Sequence, residues 1–267
     1  MAKRIVTKIG DVFSVELGNG YKSYFQYSAN DMTQLNSSVI RAFVGRYPMD
    51  YKPDMDELVK SEVAFYAHTI IKSGVQEDVF HKYGKSADLG LDELEAVFFG
   101  IPSVGAANPG PGGIILENPA KNWIIGKYNY ERQNIGCLPP DLKPLIECDG
   151  VLSYKCIVDR IRCGYYIGAM PFYDEVKREP WPWVDSYVRL ADRLTRTMTY
   201  FHFHGSRAVR EVIVDCDGNM SRLSCENPSS GCHTLYAGDF GEINWRYDEF
   251  ITADVFEEIW NKSDKSR

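Results

Sequence analysis

Long apolar runs are missing from this chain. No stretch of its 267 residues approaches the roughly 20 apolar residues of a transmembrane helix. The opening MAKRIVTKIGDVF carries basic residues but lacks the apolar core of a secretory signal. A cytoplasmic protein with no membrane partner is therefore expected. Cysteine pairing signals are missing too. The seven cysteines (Cys137, Cys148, Cys156, Cys163, Cys216, Cys225 and Cys232) are odd in number and none has CxxC spacing. Free thiols in a reducing compartment are expected, rather than a disulfide framework. Basic excess is absent as well: 30 Lys and Arg face 37 Asp and Glu, for a formal charge of -7. Proteins that bind nucleic acid by neutralising phosphates are usually basic, so direct nucleic-acid binding is not expected. A basic protein partner is compatible with this balance.

Linear catalytic signatures are absent. There is no GxSxG, no HExxH, and no GxGxxG opening a βαβ unit. The Gly-rich stretch from Gly105 to Gly112 fails as a phosphate cradle. Gly110 is followed by Pro111 and Gly112 where a Walker loop needs Lys and Ser or Thr, and the proline removes an N–H. Carboxylates are abundant, but the sequence singles out no catalytic pair. The chain is read as a non-enzyme without cofactors; the alternatives are a metal-dependent hydrolase of an unrecognised class using His202 and His204, and a structural or adaptor module.

What is present is ordinary globular usage, 44% hydrophobic and 25% charged, in a length suited to one large or two modest domains. Phe13, Val15 and Leu17 alternate with Ser14 and Glu16, and Tyr21, Ser23, Phe25 and Tyr27 alternate with Lys22, Tyr24 and Gln26. Asn19-Gly20 between these runs predicts a β-hairpin. Further strands are expected at 38–47, 63–71 and 122–130, and a Gly/Pro loop at 102–113. Asp54 and Glu57 have capping-box spacing for a short helix over 55–61, and a second short helix is expected at 91–99. Residues 151–168 read as strand-rich. Val184, Tyr187, Val188, Ala191, Leu194, Met198 and Phe201 fall at steps of three and four, which predicts a long amphipathic helix near 183–201. A hairpin turning at Asp217-Gly218 and a C-terminal helix capped by Thr252 complete the reading. The fold class is α+β: strand-rich, a bent antiparallel sheet or partial barrel with a few short helices and that one longer helix. Pro139, Pro140 and Pro144 place a soft boundary near residue 135, between a β-rich domain over 1–135 and a second α+β module over 136–267, with continuity of the two as the alternative.

His202 and His204 form an HxH that a strand would point to one side. Cys225, Cys232 and His233 follow, but their spacing matches no structural zinc pattern, so no metal is expected. A thiol nucleophile would need Cys232 beside His204 or His68, and no local thiol-protease signature accompanies them. Charge distribution is more informative. Asp50, Asp54, Asp56, Glu57 and Glu62 crowd residues 50–62. The segment from 239 onward carries Asp239, Glu242, Asp248, Glu249, Asp254, Glu257, Glu258 and Asp264. Residues 177–210, by contrast, hold seven basic residues and only three acids. Most such charges serve solvated faces. The functional reading is an acidic surface that steers a basic partner, with Asp54, Asp56, Glu57, Asp239, Glu242, Asp248 and Glu249 as the candidate contacts.

The segment KIGDVFSVELGNGYKSYFQY at 8–27, the strand ending in VGRYP, the acidic DMDELVKS and NWIIGKY at 122–128 together resemble the Imm26 family, immunity protein 26 of bacterial polymorphic toxin systems. Gly10, Asp11, Val12, Phe13 and Trp123 fit the family's entry motif and later Trp. The resemblance covers roughly residues 5–130; YFQYSAN lacks the family's glycine after the aromatics, and the C-terminal half has no counterpart. It implies a mainly β, cytoplasmic protein that binds and neutralises a cognate toxin without catalytic residues, Phe13 and Trp123 serving the core.

Overall fold

The computed structural model describes residues 6–18, 20–102, 122–167, 179–243 and 245–264. Asn19, most of the loop expected at 102–113, and Lys177 lie outside them. The described chain forms two compact units, the first running to Arg162 and the second starting at Cys163.

The first unit contains β1 (Asp11–Gly18), β2 (Tyr21–Asp31), β3 (Ser37–Phe43), β4 (Tyr47–Pro48), α1 (Met55–Val59), β5 (Val63–Thr69), α2 (Ile71–Gln76), β6 (His81–Lys85) and α3 (Leu91–Ala96). It continues through β7 (Phe98–Pro102), β8 (Trp123–Gly126), β9 (Gln133–Gly136), β10 (Ile146–Cys148), β11 (Val151–Leu152) and α4 (Tyr154–Cys163). One sheet runs β11-β5-β3-β2-β1-β6 with β4 on β2, and another runs β10-β7-β8-β9. Each is mostly antiparallel with one parallel pair, β11 on β5 and β10 on β7. The sheets are open, so the fold is α+β without a closed barrel.

The first hairpin forms where the Asn-Gly signal places it, with Phe13 opposite Phe25 and Val15 opposite Ser23. Its entry explains the Gly-Asp-Val-Phe run. Gly10 has φ +92°, and a Cβ there would lie 2.5 Å from the Ser86 carbonyl. Asp11 is buried and accepts from the Lys8 backbone N–H at 2.9 Å. Val12 packs with Tyr24, Phe43, Leu58 and Val59 on one face of the sheet, while Phe13 stacks on Phe25 on the other. β2 is buried on both faces from Ser23 to Ala29, so its sequence alternation reports no solvent side. Trp123 is fully buried with Ile125, Leu138 and Ile146.

Two expectations for this unit are corrected. Residues 151–168 are not mainly strand: Tyr154–Cys163 is helical, because Ile157, Val158 and Ile161 sit at helical spacing and all three are buried. The boundary expected near 135 lies between Arg162 and Cys163. Past the prolines the chain returns to the first unit, pairing Ile146 with Phe98 and Val151 with His68.

The second unit contains β12 (Asp185–Asp192), β13 (Thr197–His204), β14 (Arg207–Val214), β15 (Met220–Ser224), the short pair β16 (Ser229–Ser230) and β17 (His233–Thr234), and α5 (Ala253–Asp264). β12 to β15 form an antiparallel meander. The helix expected over 183–201 is instead the β12–β13 hairpin, with Val188 opposite Phe201 and Ala191 opposite Met198. Asp192 decides this. Its carboxylate accepts from the Leu194 and Thr195 N–H groups, and Arg196 takes φ +55°. These make a turn that a continuous helix cannot contain. Val188, Phe201 and Phe203 face the core, while Leu194 stands 96% exposed at the tip. The period-2 alternation within each strand therefore outweighs the helical spacing of the joined segment. The Asp217-Gly218 hairpin forms, with Gly218 at φ +84° and Asp215 accepting from the Asp217 and Asn219 N–H groups. α5 starts after Thr252, whose hydroxyl accepts from Val255, and buries Phe256 and Trp260 against Val212.

Candidate functional site

The first unit presents a cleft of about 490 Å³ lined by Arg41, Val59, Lys60 and residues 87–93. One wall is the C-terminal end of α1, at Val59 and Lys60, and the other is the N-terminal turn of α3. Asp54 caps α1, its carboxylate accepting from the Asp56 and Glu57 N–H groups at 2.9 and 3.2 Å. Leu58 and Val59 bury the far side of that turn, so Asp56 and Glu57 are left in solvent. At the other wall Gly90 precedes α3 with φ +60°, and a Cβ on it would fall 1.9 Å from a guanidinium nitrogen of Arg41. Only glycine lets that arginine through.

Arg41 is 2% exposed and forms the floor of the cleft. Its Nε donates to Gln26 at 2.8 Å and its Nη2 to the Asp88 carbonyl at 3.0 Å. The carboxylates of Asp88 and Glu93 lie 3.6 and 3.9 Å from the guanidinium. Asp88, Asp92 and Glu93 are exposed along the rim, opposed there by Lys60. The arrangement is a buried cation supporting a projecting ring of carboxylates, which can attract and orient a cationic side chain.

The structure thus places Asp54, Asp56 and Glu57 on the helix whose end forms one wall of this cleft. Asp88, Asp92, Glu93, Arg41 and Gly90 were not among the expected site residues. Their only sequence signal was the acidic LDELE that marked the second helix. The other four candidates belong to the second unit and have local partners. Asp239 pairs with Arg207 at 3.4 Å, Asp248 with Arg246 at 3.1 Å, Glu249 accepts from the Arg246 backbone N–H, and Glu242 accepts from the Tyr236 hydroxyl.

Each unit also holds a carboxylate–histidine–arginine chain. In the first, His68 Nε2 meets Asp31 at 2.9 Å, and Arg132 bridges Asp31 to Asp149 with bonds of 3.3, 3.1 and 2.9 Å. Thr33 donates to Asp31 and Gln34 to Asp149. Burial would raise the Asp31 carboxyl, but hydrogen bonds from Thr33 and His68 outweigh it and hold it at about 2. Burial pushes His68 below its ordinary value, against the pull of Asp31. In the second unit, Asp185 Oδ1 accepts from both His202 (2.8 Å) and His204 (2.9 Å), and Arg210 links His202 to Glu257. The HxH does point to one side of its strand; a carboxylate and an arginine take both ring nitrogens of His202, and the carboxylate takes Nδ1 of His204. Among the described residues no group of three His, Cys, Asp or Glu side chains could hold a metal ion. The hydrogen-bond partner of His68 and of His204 is a carboxylate in each case, and Cys148, Cys156, Cys216, Cys225 and Cys232 are free thiols.

Comparison with protein-family models, with curated proteins and with solved structures finds no match. No helix among the described residues is long and apolar enough to cross a membrane.

Proposed function

We propose that this chain is a cytoplasmic, non-catalytic immunity-type protein that binds a basic toxin of a bacterial polymorphic toxin system and neutralises it by occupancy. The observation that carries the reading is the acid-rimmed cleft of the first unit, with Asp88, Asp92 and Glu93 projecting over buried Arg41 and Asp56 and Glu57 exposed on the helix that ends at its wall. The Imm26 resemblance over residues 5–130 supports it, since both the entry motif and the cleft fall in that stretch. A nuclease toxin is basic because it grips phosphates, so a carboxylate rim both steers towards it and competes for its substrate groove.

Of the two acidic segments weighed from the sequence, the first is the better contact. Asp239 and Asp248 each have an arginine within 3.4 Å, and Asp88 and Glu93 share Arg41 at 3.6 and 3.9 Å, which cancels much of the field of all four at a distance, whereas Asp56, Glu57 and Asp92 form no ion pair among the described residues. The test is co-expression with the toxin encoded beside this gene. Protection by the wild-type chain, weakened when Asp56, Glu57 and Asp92 are all changed to Lys, is the expected result. No protection and no binding to that toxin overturns the immunity reading.

A further inference from the structure

The second unit contains a histidine that cannot gain a proton without losing an arginine. His202 Nδ1 accepts from Arg210 Nε–H at 2.9 Å, and a guanidinium has no lone pair with which to accept in return. Nδ1 is therefore unprotonated, and the ring hydrogen sits on Nε2, where it donates to Asp185 at 2.8 Å. Any second proton must go to Nδ1, into the space of the Arg210 Nε–H. The same guanidinium clamps Glu257 of α5 through both terminal nitrogens, at 3.1 and 2.5 Å, and lies 5.0 Å over each of the Phe256 and Trp260 rings.

We propose that His202 is a proton-operated catch for α5: neutral, it seats Arg210 on Glu257 and holds the helix to β14, and protonated, it expels Arg210 and loosens the helix. The groups facing the ring are Asp185 and Tyr187 from β12, His204 from β13, Arg210 from β14, and Phe256 and Glu257 from α5, with Arg222 of β15 acting on Glu257. Tyr187 stacks on the imidazole at 4.5 Å, which keeps it from swinging out to take its proton in water. His204 shares the Asp185 oxygen through Nδ1–H and is half-exposed, and its bond to Asp185 does not involve Arg210. The bond to Arg210 belongs to His202.

The sign agrees with the electrostatics. Burial lowers the His202 basicity below its ordinary 6.5; Arg210 adds to that and Asp185 opposes it. The seated form binds the proton more weakly than the released form, so α5 is held fully above about pH 6.5 and loosens as pH falls below it.

The experiment is hydrogen exchange of the α5 amides in the full chain between pH 7.5 and 5.5, corrected for the intrinsic pH dependence of exchange. Opening should rise severalfold on acidification, within the roughly tenfold per pH unit that linkage to a single proton allows. His202→Gln, whose amide can accept from Arg210 and donate to Asp185 without titrating, should be flat with pH, and His204→Gln should respond like the wild type. Should His202→Gln fail to fold, ¹⁵N shifts of the wild-type imidazoles decide: His202 protonated at Nε2 only at pH 7.5 supports the catch, and an Nδ1–H form refutes it. Unchanged opening in the wild type, or an undiminished response in His202→Gln, also overturns the proposal.

Discussion

The first unit keeps its Asp–His–Arg chain inside the core, and the second keeps one at its edge. Asp31 and His68 are fully buried and Asp149 is 4% exposed, whereas Asp185 and His204 each have about half of their side chains in solvent. The residue types are the same but the bonding differs: Arg132 donates to Asp31 and Asp149, whereas Arg210 donates to His202 itself. A buried chain is held by many partners, because any unmatched charge there is severely penalised. Asp31 accordingly collects Thr33, His68 and Arg132. A half-exposed chain can let one partner go, since water replaces it at low cost. The first arrangement suits a rigid core, and the second suits an element that responds to pH.

The largest effect should come from breaking the buried chain. Arg132→Ala leaves Asp31 and Asp149 without their cation, at an expected cost of about 3–5 kcal/mol. Urea denaturation followed through amide exchange in β2 and β5 would measure it. Asp185→Asn at the half-exposed chain should cost at most about 1 kcal/mol by the same measurement in β13 and β14. Equal losses at the two sites would remove the distinction drawn between the units.

Acid should separate the two groups of the buried chain. His68 has a folded value below 6.5, so its contribution is complete above that pH and is lost as pH falls below it. Asp31 is lowered from 3.8 to about 2, so its contribution is present above 3.8 and is lost as pH falls through that window. Protection of first-unit amides should therefore decline in two steps, one starting below pH 6.5 and one below pH 3.8. His68→Gln should abolish the upper step. A single step confined below pH 4 would show that His68 carries none of the response.

The smallest effect is the most diagnostic of the second unit's fold. Leu194→Asp should change stability by less than about 0.5 kcal/mol, because Leu194 is solvated at a hairpin tip. In a helix burying the stripe at 183–201, the same substitution would place a carboxylate in the core.

That hairpin shows where the sequence was and was not legible. Tight turns read correctly wherever a short-range signal forced the backbone, as at Asp217-Gly218 and at Asp54 before α1. The 183–201 segment misled because the register of two strands across a turn put Val188, Ala191, Leu194 and Met198 at helical intervals, and the signal at Asp192 was a side-chain hydrogen bond rather than a glycine. Residues 154–163 misled in the opposite way, since Tyr, Val and Ile favour strands until tertiary burial of one stripe decides otherwise. Of the candidate site, the α1 acids were legible as a charge run. Arg41 was not, because it enters the cleft from a strand about fifty residues before α3, through a gap that only the left-handed Gly90 leaves open.

The two units also differ in how their surface acids are used, and that difference is the centre of the functional account. The most direct measurement is the association rate with the neighbouring toxin at low and at physiological salt, for two sets of substitutions. One set reverses Asp56, Glu57 and Asp92 to Lys in the first unit; the other reverses Asp239, Glu242, Asp248 and Glu249 in the second. The account predicts wild-type association that slows as salt rises, about tenfold slower association for the first set at low salt, and little change for the second. A salt-independent rate, or slowing confined to the second set, would contradict it.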